Sequence, residues 1–118
     1  MMTLQRLRQR KELRRRELER ELERIKKQLI DMDAVKIILF GSYAQGMVRS
    51  SSDIDLLVIM PSHKSGKDWM GEIYEKVDRE VDCDILAYTE KELEDKLPVS
   101  RFLRYVLDTG KVIYERGS

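Results

Sequence analysis

The 118 residues hold one cysteine, Cys83, one histidine, His63, and two prolines. A single cysteine forms no internal disulfide, and a single histidine beside it builds no zinc site, so neither crosslinks nor a structural metal can stand in for a hydrophobic core. Aromatic residues make up only 7% of the chain, and none is interleaved with the basic N-terminal run, which disfavours a base-stacking platform for nucleic acid. No apolar stretch approaches membrane-spanning length, and the first residues are too charged for a secretory leader, so a cytoplasmic location with no membrane association is expected. The length suits one small catalytic or binding domain without a separate substrate-recognition domain.

What the chain has in quantity is charge, and it is unevenly placed. The net charge is only +1, yet residues 1–30 carry eleven Lys and Arg against five Glu, or +6, and residues 31–118 carry twelve against seventeen acidic residues, or −5. Leu18, Leu22, Ile25 and Leu29 follow i, i+4, i+7, i+11, one apolar stripe of an amphipathic helix that packs on the body. Upstream, Leu4, Leu7 and Leu13 are spaced less regularly among Arg6, Arg8, Arg10, Lys11 and Arg14 to Arg16, so this part is read as a solvated helix laced with Glu–Arg pairs that projects, frays or meets a partner. Residues 1–31 are therefore assigned to a basic N-terminal helix and 32–118 to the functional body.

Periodicity and capping signals divide the chain into helix 4–31, strand 35–41, short helix 43–48, strand 53–60, helix 67–79, strand 81–88, short helix 90–96, helix 99–109 and strand 111–115. Thr89-Glu90-Lys91-Glu92 reads as a capping box. Gly110 ends the last helix. The result is an α+β protein with a mixed sheet, expected to have its helices on one face and its carboxylates near the edge of the other. Trp69 and Tyr74 fall at helical spacing and read as core or partner-facing residues rather than a base-stacking box. Cys83 reads as a small core hydrophobe and His63 as a loop residue at the surface.

The informative segment runs from 35 to 56. The apolar run Val35 to Phe40 leads into Gly41-Ser42-Tyr43-Ala44-Gln45-Gly46, and a short polar stretch then leads to Ser52-Asp53-Ile54-Asp55-Leu56. On a strand, Asp53 and Asp55 project from the same face at about 7 Å spacing. Two such carboxylates repel unless a cation lies between them, and Mg²⁺, which takes oxygen ligands and shares its shell with phosphates, suits them best. A glycine lets the backbone approach a phosphate, and the helix start after it offers free N–H groups, so the turn and the aspartates together suggest a nucleoside triphosphate site. A third carboxylate is available in Val81-Asp82-Cys83-Asp84-Ile85-Leu86, where Asp82 and Asp84 share a face.

These two motifs resemble the nucleotidyltransferase superfamily that includes the beta-type DNA polymerases, and in particular its minimal nucleotidyltransferases. That family reads roughly Gly-Ser-x-Ala-Arg-Gly, then Ser-Asp-Ile-Asp-Leu; here Gln45 stands where arginine is usual. Over residues 35–115 the resemblance implies a polymerase beta palm-like fold. It implies Asp53, Asp55 and Asp84 as catalytic and metal-binding residues, with Asp82 as the alternative third carboxylate. It further implies Gly41, Ser42 and Ser52 as nucleotide-binding residues, two Mg²⁺ ions, and ATP as donor of AMP. Minimal nucleotidyltransferases commonly pair with small helical proteins of the HEPN class, and members act as antitoxins by attaching AMP to a tyrosine of the ribonuclease toxin. The expected activity is thus protein adenylyl transfer to a HEPN-type partner; homo-oligomerisation is compatible with it. The alternatives are a non-catalytic binding antitoxin and a transferase acting on RNA ends or a small molecule.

Overall fold

The computed structural model describes residues 3–44 and 54–117. The expected site residues Ser52 and Asp53, and Gln45 to Val48 of the short helix, lie outside the described residues, as does the side chain of Ser42. The elements are α1 (Leu4–Asp31), β1 (Lys36–Phe40), α2 (Gly41–Ala44), β2 (Ile54–Met60), α3 (Gly66–Lys76), β3 (Cys83–Thr89), α4 (Glu90–Lys96), α5 (Arg101–Thr109) and β4 (Lys111–Glu115). Four strands form one sheet in the order β3-β2-β1-β4. β1 is antiparallel to both β2 and β4, while β2 and β3 run parallel, so the sheet is mixed as expected.

Helices cover both faces of this sheet rather than one. Ile37 and Leu39 of β1, Leu56 and Val58 of β2 and Ile85 and Ala87 of β3 pack with Leu18, Ile25 and Leu29 of α1 and with Trp69 and Ile73 of α3. The alternate residues Ile38, Phe40, Leu57 and Ile59 pack instead with Leu93 of α4 and Leu103 and Val106 of α5. The reason is readable in β2: Ile54 and Leu56 to Met60 are all apolar and buried, and a strand without polar alternation requires cover on each side. Asp55 is the one polar residue in that strand.

Helix α1 divides as its leucine spacing predicts. Leu18, Ile25 and Leu29 are fully buried, whereas Leu4, Leu7 and Leu13 are exposed. Glu21 also lies on the buried stripe, 5% exposed, and its Oε1 accepts the Glu80 backbone N–H at 2.8 Å while also pairing with Arg24. Gln28 brackets Asp78, accepting its N–H and donating to its carbonyl. These side chains capture the backbone of residues 78–80, which explains why α3 stops at Lys76 rather than continuing to 79: the N–H groups bond across to α1 instead of along the helix. Replacing the buried Glu21 with alanine removes the acceptor of the part-buried Glu80 N–H and should cost about 1 kcal/mol, read as a lowered denaturation midpoint with unchanged m-value.

The same carboxylates predict acid sensitivity. Burial pushes the Glu21 carboxyl up, but the Arg24 hydrogen bond and the Glu80 N–H outweigh it and leave it below the ordinary value. The Thr89 N–H holds Glu92 down, and the Lys64 and Lys76 ammonium groups bring Glu72 to about 2. Because these folded-state values lie below the unfolded 4.5, the stability they supply is complete above about pH 4.5 and is lost as pH falls towards about 2. Thermal melts at pH 6 and pH 3 should differ accordingly, with the Glu21→Ala variant losing less between them than the parent.

At the end of the sheet where β2 and β3 finish, Glu92 ties two helices together. Its carboxylate accepts the Thr89 N–H in a capping box at α4 and the Gly66 N–H at the start of α3. That end is structural. The opposite end, where β2 and β3 begin, carries the aspartates.

Candidate functional site

Parallel pairing of β2 with β3 sets Asp55 directly opposite Asp84. Neighbouring strands lie about 4.8 Å apart, and residues in register share a face, so the two carboxylates stand side by side. Both lie on the face that carries Leu57 and Ile59, the side covered by α4 and α5. Asp55 is half-buried and Asp84 exposed. As the one polar residue of a strand otherwise buried, Asp55 adds nothing to the core, and a second carboxylate at its side raises the electrostatic cost.

The third element comes from β1. Antiparallel register places Phe40 opposite Asp55, and the chain turns immediately afterwards at Gly41 with φ +84°. A Cβ at position 41 would sit 2.3 Å from Asp55 Oδ2, a distance that no side chain tolerates. The backbone at Gly41 therefore lies against the carboxylate, which brings the turn and the aspartate motif together although Asp55 follows Gly41 by fourteen positions in sequence. On the turn side the site is flanked by Phe40, against whose ring Phe102 of α5 packs edge-on at 5.8 Å between centroids.

Across the end of the sheet the order is thus Gly41, Asp55, Asp84. Beyond Asp84 lies the free edge of β3. Asp82 immediately precedes this strand; its carbonyl accepts the Ile54 N–H at 3.2 Å and its side chain is exposed. Tyr74, Arg79, Val81, Asp82, Cys83 and Asp84 line a groove along that edge. Cys83 faces the core, and burial pushes its thiol up to about 12, which removes it from nucleophilic chemistry.

The structure brings Gly41, Asp55 and Asp84 into one place, with Ser52 and Asp53 outside the described residues. Among the described residues, no group of three or more His, Cys, Asp or Glu is arranged to hold a metal ion. The described contribution is the Asp55–Asp84 pair and the cradle formed by Gly41. Trp69 and Tyr74, treated alike in sequence, separate: Trp69 is 4% exposed with its indole N–H donating to the Pro61 carbonyl, whereas Tyr74 is 53% exposed. Helical spacing placed both on α3 but could not assign faces without knowing which side met the sheet. His63 is exposed and packs edge-on against Trp69, as a surface loop residue. Arg79, whose guanidinium lies 4.5 Å from the centre of the Tyr74 ring and donates to the Cys83 carbonyl at 3.2 Å, gave no sequence signal at all.

No helix among the described residues is long and apolar enough to cross a membrane. Compared with known families, residues 16–109 match the nucleotidyltransferase domain, a span that begins within α1 and includes the Gly-Ser turn and all three strands of the site. Comparisons with curated proteins and with solved structures gave no match.

Proposed function

Because the chain belongs to the nucleotidyltransferase domain family, we propose that it transfers AMP from ATP to a hydroxyl of a partner protein, with Asp53, Asp55 and Asp84 as the catalytic carboxylates. The observation that carries this reading is the register of Asp55 against Asp84 with the Gly41 backbone held against Asp55. Two adjacent oxygen-donor side chains next to a close-approach turn suit hard divalent cations and a polyphosphate, so the donor set fits Mg²⁺. Asp53, Asp55 and Asp84 would hold it. When bound, Mg²⁺ supplies charge neutralisation at the phosphates and lowers the pKa of an attacking hydroxyl.

The chain's own groups divide the remaining work. The Gly41-Ser42 turn offers backbone N–H groups to the β- and γ-phosphates, with Ser52 as a further nucleotide contact, and the absence of a Cβ at 41 keeps that approach open. Asp84, exposed at the outer strand, takes the proton of the acceptor hydroxyl. The acceptor oxygen then bonds to the α-phosphorus, the bond from that phosphorus to the bridging oxygen breaks, and pyrophosphate leaves. Gln45 in place of arginine withdraws one guanidinium from this phosphate environment.

By the resemblance, the acceptor is a tyrosine of a small helical HEPN-type protein and the role is that of an antitoxin. Acceptor orientation comes from docking of the acceptor beside the site. Incubation with labelled ATP, Mg²⁺ and either the product of the adjacent reading frame or an RNA pool tests it. Label should enter the partner protein. Label in RNA ends with the partner unmodified would replace this reading with an RNA transferase, and inhibition of the partner without label would leave a binding antitoxin. Calorimetric titration provides the independent check on the nucleotide: Asp53→Asn with Asp55→Asn should abolish Mg²⁺-dependent ATP binding in a folded protein.

A further inference from the structure

We propose that Phe102, with Tyr105 one turn later on α5, is the subsite for the nucleobase of the donor, held by stacking against an aromatic side chain. The inference rests on the nucleotidyl-transfer reading of Gly41, Asp55 and Asp84, and adds to it an element that carries none of the motif residues. Antiparallel register sets Phe40 beside Asp55 on one face of the sheet, the face that also carries Ile38, Leu57 and Ile59. Residues paired in this way lie about 5 Å apart. The Phe102 ring then meets the Phe40 ring edge-on at 5.8 Å between centroids. One residue pair and one ring contact therefore separate the carboxylate from Phe102, a gap that a ribose fills.

The two faces of the sheet offer a nucleotide different surroundings at this end. A polyphosphate at Gly41 with its α-phosphate at Asp55 leaves the base, joined through the ribose, to lie over one face or the other. On the α1 face, Leu39, Ala44 and Ile54 are buried with Leu18 and Tyr43 packs against them, so the chain itself fills that side. On the face of Asp55 the cover is α5, where Phe102 is 49% and Tyr105 51% exposed. Among the described residues the other exposed tyrosine or phenylalanine is Tyr74, on α3 against the opposite face. Phe102 fixes its ring through Phe40 and keeps about half its surface for a second planar group, which an aromatic ring holds offset or edge-on. Residues three apart on a helix are neighbours, so Tyr105 extends the same surface. A phosphate gains nothing from such a ring, whereas every base has a π-face, and one stacking contact is worth about tenfold or more in affinity.

Calorimetric titration of the full chain with ATP and with ribose 5-triphosphate, the same ester without its base, each with Mg²⁺, tests this. The parent should bind ATP about tenfold more tightly than ribose triphosphate. Phe102→Leu, which keeps an apolar side chain over Phe40, should weaken ATP about tenfold, leave ribose triphosphate unchanged and melt near the parent temperature. Phe102→Trp keeps the stack and adds a reporter: ATP should quench its emission and ribose triphosphate should not, with the buried Trp69 as a constant background. Equal affinities of the parent for the two ligands, an unchanged ATP affinity in Phe102→Leu, or an emission in Phe102→Trp that ignores ATP overturns the subsite. In each of those cases, Mg²⁺-dependent binding of ribose triphosphate that is lost in Asp55→Asn keeps the nucleotidyl-transfer reading; a parent that binds neither ligand removes both.

Discussion

Asp84→Asn should lower transfer by at least three orders of magnitude, a loss of about 4 kcal/mol or more of transition-state stabilisation, with little loss of ATP affinity. Asp82→Asn should cost tenfold or less. The two residues lie two positions apart on the same side of an apolar run, the resemblance favours Asp84 with Asp82 as the alternative, and their places in the fold differ. Asp84 stands within β3 in register with Asp55, whereas Asp82 precedes the strand. A carboxylate facing Asp55 across about 4.8 Å is positioned to share its ligand and to receive a proton from a group bound there. Asparagine keeps the size and loses the charge. Neither substitution should unfold the chain, since both side chains are exposed, and removing one of two adjacent carboxylates relieves repulsion. Single-turnover transfer assays beside ATP titrations decide between them, and the opposite ranking would move the third carboxylate to Asp82.

The second large effect is expected from the smallest change. Gly41→Ala introduces a methyl group 2.3 Å from Asp55 Oδ2 and 3.2 Å from its Cγ, at a backbone φ of +84°. The left-handed conformation alone costs an alanine about 1–2 kcal/mol, and the contact forces either the carboxylate or the turn to move. Displacement of a reacting group by about 1 Å can cost on the order of a hundredfold in rate. We expect transfer to fall by that amount together with a drop in melting temperature. A double-mutant cycle separates the causes. In an Asp55→Ala background the steric clash disappears, so Gly41→Ala should there cost only the backbone strain, and the difference between the two costs reports the contact. Equal costs in both backgrounds would show that the glycine serves the turn alone.

Much of the architecture was legible because it depends on local pattern. The stripe Leu18, Leu22, Ile25, Leu29 predicts which half of α1 packs, and those residues are buried or partly buried while Leu4, Leu7 and Leu13 are exposed. The Thr89–Glu92 capping box forms as the sequence indicates, with both reciprocal hydrogen bonds present. Bounds of the strands were read to within about two residues, since apolar runs flanked by glycine or polar residues leave little choice. Glu21 falls three residues after Leu18 and four before Ile25, spacing that places it on the buried face, but its charge masks it in a search for apolar stripes. Its acceptor role depends on the Glu80 N–H, 59 positions away, and no local rule anticipates that.

The sequence by itself determined the elements, the two aspartate motifs, the Gly-Ser turn and the family to which they belong, because periodicity, capping and short motifs act over a few residues and are written along the chain. Tertiary structure decided how those pieces meet. Helices lie on both faces because β2 is apolar throughout and must be covered twice. Trp69 is inside and Tyr74 outside because α3 can present only one side to the sheet. Asp84 rather than Asp82 adjoins Asp55 because a one-pleat difference in strand register is set by pairing between segments nearly thirty residues apart, and Gly41 touches Asp55 because β1 and β2 are antiparallel neighbours. Register and face are relations between segments, fixed by the packing that buries both surfaces of the sheet at once.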